Sequence, residues 1–160
     1  MTFTLRPMRL QDIPAVGMLE QKLFPIDAWP LELFFDEFAQ TETREYLIAE
    51  VDGELIGYCG VMVVGRTADI QTIGVLPEYE GRGIGTAMLT SMLKEARRRG
   101  AAETLLEVRE DNPRARRLYE LFGFEHIHTR RRYYRDGVNA HVMRLIFDSS
   151  GAAKGDHEPV

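Results

Sequence analysis

The chain has 160 residues, of which 44% are hydrophobic, and a formal net charge of -5 at neutral pH. These values predict a globular protein with one domain, and the acidic balance argues against general nucleic-acid binding. The single cysteine, Cys59, excludes an internal disulfide and a multi-cysteine zinc site. No apolar stretch reaches the roughly 20 residues that cross a bilayer, and the N-terminus lacks a signal-peptide pattern. We therefore expect a soluble cytoplasmic protein without a metal.

The first half of the sequence predicts both strands and helices. An Asp52-Gly53 pair between two apolar runs indicates a hairpin, and a turn rich in proline and aromatic residues separates two helical patterns. The predicted strands are residues 2–8, 46–51, 55–64 and 68–75, and the predicted helices are about 12–23 and 31–38.

Residues 74–86, GVLPEYEGRGIGT, form the most distinctive segment and lead into an amphipathic helix that ends at Gly100. Gly83 and Gly85 lack a Cβ, so a ligand can come close to the backbone. The first helical turn adds unpaired N–H groups and the positive end of the helix dipole, which suit a pyrophosphate. Ordinary turn glycines are the alternative. The lysine and Ser/Thr of a Walker-type loop are missing, which argues against NTP hydrolysis.

The second half predicts a strand over 104–109, a helix over 113–121 and a closing hairpin. Its strands cover 126–134 and 140–147, with a turn at Asp136-Gly137. Strands and helices in this order indicate a mixed α+β fold. Residues 149–160 are small, polar or charged, and we expect a disordered tail without chemistry.

Several motifs accompany the glycine-rich segment, and together they resemble the GNAT superfamily of acetyl-CoA-dependent N-acetyltransferases. The motifs are V-x-P-x-Y-x-G-R-G-I-G from Val75, Leu106-Glu107-Val108, and Asn112-x-x-Ala115-x-x-Leu118-Tyr119-x-x-x-Gly123-Phe124. The resemblance extends from Leu5 to Met143. Three further features look like the bacterial ribosomal-protein alanine N-acetyltransferases of the RimI type. They are Leu-Glu-Val-Arg at 106–109, RRRYY at 130–134, and Phe24-Pro25 followed by Trp29.

The resemblance implies a GNAT fold over residues 1–148, with a central mixed, mostly antiparallel sheet flanked by helices. It also implies transfer of an acetyl group to the N-terminal α-amine of a protein, most simply a small-subunit ribosomal protein with N-terminal alanine. Two alternatives stay open: acetylation of a small-molecule amine such as a polyamine or antibiotic, and a non-catalytic acetyl-CoA-binding regulatory module. We expect neither membrane contact nor direct nucleic-acid binding.

By the same resemblance, backbone groups of the glycine loop hold the phosphates of acetyl-CoA, and a splayed strand before it holds the pantetheine amides and polarises the thioester oxygen. The family usually opens this loop with Gln or Arg, where this chain has Glu80. Because backbone N–H groups make the main contacts, we expect the loop to work. The residues assigned to the cofactor are Ile73, Gly74, Val75, Gly81, Arg82, Gly83, Ile84, Gly85, Thr86, Asn112 and Tyr119. An ordinary bulge glycine at Gly74 and a simple helix cap at Asn112 are the alternatives.

Glu107 is the candidate general base. A protein α-amine has a pKa of about 8, so most of it is protonated at neutral pH and a base assists its attack on a thioester. Strand alternation places Glu107 on the face opposite Leu106 and Val108. An exposed carboxylate paired with Arg109 or another neighbour is the alternative. Given the Leu-Glu-Val-Arg motif, we interpret Glu107 as the base, acting directly or through a water.

Tyr119 is the candidate general acid. The resemblance implies that this tyrosine lies beside the cofactor sulfur and protonates the departing thiolate. A phenol with a pKa of about 10 can donate to a thiolate of comparable basicity. A tyrosine that only packs in the core is the alternative, and both roles can hold together.

The acceptor site is less sharply defined by the sequence. Trp29 and Tyr134 are the candidate substrate-binding residues, with Tyr133 beside the latter and an acidic helix at Glu32, Asp36 and Glu37 that could attract a cationic N-terminus. A solvated helix face is the alternative for the acidic residues. The arginines at 130–132 and 135 could bind ribosomal RNA near a ribosomal substrate or line a solvated strand.

Overall fold

Residues 2–147 form seven strands and four α-helices in the computed structural model, which describes this part of the chain. The strands are β1 (Thr4–Pro7), β2 (Arg44–Val51), β3 (Glu54–Val64), β4 (Thr67–Val75), β5 (Glu103–Arg109), β6 (Glu125–Arg130) and β7 (Ala140–Ile146). The helices are α1 (Ile13–Leu23), α2 (Leu31–Phe38), α3 (Ile84–Arg98) and α4 (Pro113–Leu121). Short 3-10 turns occupy Leu10–Asp12 and Pro77–Tyr79. The mixed α+β prediction is confirmed.

One compact unit comprises the described residues up to Met62 together with Gln71–Lys94. In it, β2 pairs antiparallel with both β1 and β3, and β4 follows β3 in the sheet order. The β2–β3 hairpin turns at Asp52 and Gly53, both with positive φ, as the sequence predicts. Helices α1 and α2 contribute to a core whose buried members are Met8, Ile13, Val16, Leu19, Phe34, Tyr46, Ile48 and Tyr58.

The second unit comprises Val63–Ile70 and the described residues from Glu95 onward. Here β7 pairs antiparallel with β5 on one side and β6 on the other. The first residues of β4 pair parallel with β5, from Thr67↔Glu103 to Asp69↔Leu105. This parallel ladder beside antiparallel ones makes the sheet mixed but mostly antiparallel, as expected.

Helix α3 forms as its sequence predicts. Its predicted apolar face is buried, each member being at most 5% exposed: Ile84, Met88, Leu89, Met92, Leu93 and Ala96. Gly100 has a φ of 93°, and the Ala101 N–H donates to the Ala96 carbonyl, so a glycine-dependent cap ends the helix. With 15 residues α3 is the longest helix between residues 2 and 147, and no helix in that range could cross a membrane.

The predicted closing hairpin is correct in its pairing but wrong in its boundaries. Strand β6 ends at Arg130, and residues 131–139 form a loop rather than the last part of a strand. Arg132 has a φ of 51°, and its N–H donates to the Asn139 side chain at 2.9 Å. Gly137 turns the chain with a φ of 85° inside this longer loop. The predicted tail, residues 149–160, lies outside the described residues.

Cys59 lies in β3, opposite Leu47 of β2, and its side chain is fully buried. Burial raises the pKa of its thiol, because the thiolate would lose its hydration. The cysteine is therefore an apolar packing residue.

Candidate active site

The glycine loop of the first unit connects β4 to α3. Its backbone first makes the 3-10 turn at Pro77–Tyr79, and then Gly81 and Gly83 adopt φ values of 75° and 83°, a conformation that favours glycine. Residues 81–83 are exposed, whereas the Ile84 side chain is buried and leaves only its backbone to face a ligand. The first-turn N–H groups of α3 have no acceptor within the helix. The loop is thus exposed and glycine-dependent in conformation, which is compatible with the predicted anion site.

Packing favours a small residue at Gly74, near the end of β4, independently of any ligand. A Cβ there would lie 2.9 Å from Leu23 Cδ1 and 3.0 Å from the Tyr58 hydroxyl. The chain continues from β4 with the Leu76 N–H donating to the Ile56 carbonyl at 2.9 Å. Close packing on α1 and β3 thus explains a small residue at this position, and the contact of its backbone with a thioester stays a prediction.

The turn at residues 24–30, between α1 and α2, presents Trp29. The indole is half-buried and packs on Phe34 with ring centroids 5.0 Å apart. Its backbone N–H donates to Glu20 Oε2 at 2.9 Å. On α2, Glu37 accepts from Arg44 at 3.1 Å and from Gln71 at 2.7 Å. Of the three acidic residues considered for the acceptor, Glu37 is therefore engaged within the protein.

In the second unit, Glu107 projects from β5 toward the β6–β7 hairpin. Its Oε2 lies 2.7 Å from Arg130 Nε, and the Tyr133 hydroxyl donates to Oε1 at 3.3 Å. About a third of the side chain is exposed (32%). An ion pair at this exposure contributes only about 0–1 kcal/mol, so an incoming group can displace it at small cost. The ion-pair partner of Glu107 is thus Arg130 and not Arg109. This ion pair is compatible with Glu107 as the general base and with Glu107 as an exposed, paired carboxylate.

Arg109 instead holds the hairpin loop. It forms ion pairs with Asp111 at 2.9 Å and Asp136 at 2.6 Å, and its guanidinium lies 4.9 Å from the centre of the Tyr134 ring. The pKa values of Asp111 and Asp136 are lowered, and the hydrogen bond from Arg109 is the main cause in each case. Tyr133 packs edge-on against Tyr134 at 5.1 Å. The two tyrosines considered for the acceptor are therefore placed side by side by Arg109 and Glu107.

Asp69 is a carboxylate near Glu107 that the sequence analysis missed. It pairs with Leu105 in the parallel ladder, on the strand face that also carries Glu103 and Glu107. Burial raises the pKa of Asp69, and the negative charges of Glu107 and Glu103 raise it further. The available signal was an acidic residue between the apolar Ala68 and Ile70, within a predicted strand.

Tyr119 lies on α4 and is 6% exposed. Its ring packs edge-on against Phe124 with centroids 6.0 Å apart. Burial raises the pKa of the phenol, and Tyr134 raises it further, so the hydroxyl keeps its proton. No side chain among residues 2–147 forms a hydrogen bond with that hydroxyl. A general acid must carry a proton and be able to give it up to the substrate. The Tyr119 hydroxyl is compatible with that role, and it is equally compatible with a role in core packing alone.

Helix α4 begins with the predicted cap. Asn112 Oδ1 accepts from the Ala115 N–H at 3.2 Å, and Pro113 occupies the first helical turn. The capping role of Asn112 is confirmed, and a contact of Asn112 with the cofactor stays a prediction. Among residues 2–147, no three His, Cys, Asp or Glu side chains are arranged to hold a metal ion.

Comparison with known proteins identifies the family. The model of the acetyltransferase (GNAT) family matches residues 14–124. N-alpha-acetyltransferase RimI of Mycobacterium tuberculosis is 40% identical, with 88% of this chain and 90% of that protein aligned. The crystal structure of the ribosomal-protein-S18-alanine N-acetyltransferase from Escherichia coli matches with a TM-score of 0.82 and 31% identity, over 91% of this chain and 94% of that one. Arabidopsis thaliana NAA60 in complex with acetyl-CoA shares the fold, with a TM-score of 0.80 and 22% identity over 91% of this chain and 98% of that one. The family model covers more than half of the sequence, and the chain belongs to the GNAT family of acetyltransferases.

Proposed function

We propose that this acetyltransferase transfers the acetyl group of acetyl-CoA to the N-terminal α-amine of a ribosomal protein that begins with alanine, in the cytoplasm. The observation that carries the proposal is its similarity to the E. coli enzyme, which is named for alanine acetylation of protein S18 and of which 94% is covered. The 40% identity to a mycobacterial N-alpha-acetyltransferase supports the same acceptor group.

The proposed cofactor site uses backbone groups of the glycine loop. The N–H groups of residues 81–86 would bind the pyrophosphate, at the positive end of the α3 dipole. Exposed loop residues and two glycines with positive φ fit this role. Residues 73–75 would hold the pantetheine amides and polarise the thioester oxygen, a contribution of about 3 kcal/mol for each well-placed donor. Asn112 would add a polar contact beyond its cap.

The proposed reaction needs one proton acceptor and one proton donor. The amine nitrogen forms a bond to the thioester carbonyl carbon while Glu107, directly or through a water, takes the proton that the nitrogen loses. The carbon–sulfur bond then breaks, and the Tyr119 hydroxyl gives its proton to the departing sulfur. The weak ion pair of Glu107 and the protonated state of Tyr119 support these roles. Trp29 and Tyr134 would contact the acceptor.

Replacing Tyr119 by Phe removes only the hydroxyl. If Tyr119 is the acid, kcat should fall by about 10- to 100-fold, near the low end of general acid catalysis, with the KM for acetyl-CoA unchanged. The melting temperature should stay within the error of the measurement, because no side chain between residues 2 and 147 bonds to that hydroxyl. Steady-state kinetics with an N-terminal peptide and a thermal melt provide the test.

Tyr46→Phe is the matched control, since Tyr46 is also buried but its hydroxyl donates to Gln71. We expect the opposite result there: a loss of stability of about 1 kcal/mol and a normal kcat. Full activity of Tyr119→Phe would leave Tyr119 as a packing residue and assign thiolate protonation to solvent.

The acceptor is tested by a screen that reads the release of free CoA. Its arms are peptides that begin with Ala, Ser or Met, the Ala peptide with a blocked N-terminus but an internal lysine, and polyamines. We expect the free Ala peptide to have the highest kcat/KM and the blocked peptide to be inactive. Preference for a polyamine would favour the small-molecule alternative, and tight acetyl-CoA binding without turnover on any acceptor would favour a regulatory module.

A further inference from the structure

Glu20 is a buried carboxylate to which the proposed mechanism gives no role. It lies on α1 and is 3% exposed. Together with Ile13, Val16 and Gly17 it forms the buried face of that helix, at spacings of three and four residues. A carboxylate in such a place is costly unless its oxygens accept hydrogen bonds. Its partners therefore show what the burial of Glu20 achieves.

The two carboxylate oxygens of Glu20 bind different elements. The Tyr58 hydroxyl, from β3, donates to Oε1, and the Trp29 backbone N–H donates to Oε2 at 2.9 Å. The Thr72 side chain, from β4, also acts on Glu20 and lowers the pKa of its carboxyl. Burial raises the pKa of Glu20, and the interactions with Tyr58, Trp29 and Thr72 oppose that rise. One side chain thus connects α1, β3, β4 and the turn that carries Trp29.

Glu20 connects two parts of the first unit that have a role in the proposed function. One part would bind the acceptor, and the other would bind the thioester. Trp29 is the candidate acceptor contact, and its turn is anchored to Glu20 through a main-chain hydrogen bond. Thr72 immediately precedes residues 73–75, and a Cβ on Gly74 would lie 3.0 Å from the Tyr58 hydroxyl. The turn and the end of β4 therefore share one buried polar support.

We propose that Glu20 is a positioning residue for the acceptor, which fixes the turn at residues 24–30 relative to the backbone of Thr72–Gly74. This inference rests on the proposed function. Glu20 touches neither reacting atom in that mechanism. It sets where Trp29 is held, and because Trp29 is the proposed acceptor contact, Glu20 acts on how tightly the acceptor binds.

The test compares variants that differ in the hydrogen bond to Trp29. Glu20→Met fills the space without an acceptor, and Glu20→Asp keeps the charge but is too short by one methylene to reach the turn. Both should raise the KM for an Ala peptide by about tenfold, while kcat and the KM for acetyl-CoA change by less than about threefold. Glu20→Gln retains a carbonyl oxygen for the Trp29 N–H and should behave almost as wild type. Tyr58→Phe, which keeps the Trp29 bond, is the matched control.

A second readout does not depend on activity. The Trp29 amide should lose about tenfold or more of its hydrogen-exchange protection in Glu20→Met and Glu20→Asp, but not in Glu20→Gln or Tyr58→Phe. Trp29 is the only tryptophan of the chain, so its fluorescence reports the turn directly and should shift to the red in the same two variants. If Glu20→Met does not fold, Glu20→Asp decides.

Unchanged Trp29 exchange and unchanged acceptor KM in a folded Glu20→Asp variant would overturn the positioning role and leave the proposed function intact. A wild-type enzyme that acetylates no peptide would refute the proposed function instead, and the acceptor role of Glu20 with it.

Discussion

Gly85→Asp is expected to abolish acetyl-CoA binding while the protein still folds. The added side chain would occupy the approach to the backbone at the start of α3, and its carboxylate would stand against the pyrophosphate. Like charges brought together in a binding site cost several kcal/mol, which corresponds to a loss of affinity of at least about a hundredfold. The fold should survive, because an acidic residue in the first turn of a helix is favourable to the helix dipole.

Calorimetry with acetyl-CoA on the folded variant measures this effect, and two controls separate its causes. Gly85→Ala adds a Cβ without charge and should weaken binding by less. Ser91→Asp adds the same charge to α3 farther from its N-terminus, where the dipole and the phosphates are out of reach, and should bind almost normally. Normal affinity in Gly85→Asp would remove the loop from the cofactor site.

Glu107→Gln is expected to lower turnover by about a hundredfold or more near pH 7. The one carbonyl oxygen of glutamine can still accept from Arg130, and its amide nitrogen can donate to the Tyr133 hydroxyl, so the local structure should persist. The amide cannot take a proton from the amine. The rate should recover in part at higher pH, because an α-amine with a pKa of about 8 then loses its proton to solvent. A pH series of kcat/KM with a fixed N-terminal peptide measures both effects.

Glu103→Gln is the matched control for Glu107→Gln. Both glutamates lie on the same face of β5, and Glu103 is a similarly exposed carboxylate (33%) with its own arginine neighbour, Arg144. The same neutral substitution there should leave turnover and its pH profile near wild type. A Glu107→Gln enzyme with normal turnover at pH 7 would reduce Glu107 to a surface carboxylate paired with Arg130.

The sequence predicted those elements whose signals are local. Helix α4 has the expected bounds because Asn112 and Pro113 determine its start through contacts within one turn. Helix α3 follows because one apolar face and a C-terminal glycine specify it. The GNAT fold could also be predicted, because motifs such as the glycine run are contiguous in sequence. The family match confirms that prediction.

Features that depend on distant contacts were not predictable. Residues 131–134 include two tyrosines, which favour a strand. The Asn139 side chain instead accepts a hydrogen bond from the Arg132 N–H, and this bond stabilises a loop. The partners of Glu107, Arg130 and Tyr133, come from a hairpin far along the chain. Glu20 shows the limit most clearly: its position on the apolar face of α1 was readable, whereas its bonds to Trp29 and Tyr58 need the folded protein.

The burial of Cys59 decides how cleanly the reaction can be followed. CoA is the only accessible thiol that a working assay would contain, because the one cysteine of the chain is fully buried and its thiol holds its proton. A thiol-reactive dye therefore counts product without a background from native enzyme. The same dye, added without substrate, labels Cys59 only when β3 is exposed by unfolding, so each variant can be checked for integrity in the cuvette that measures its rate.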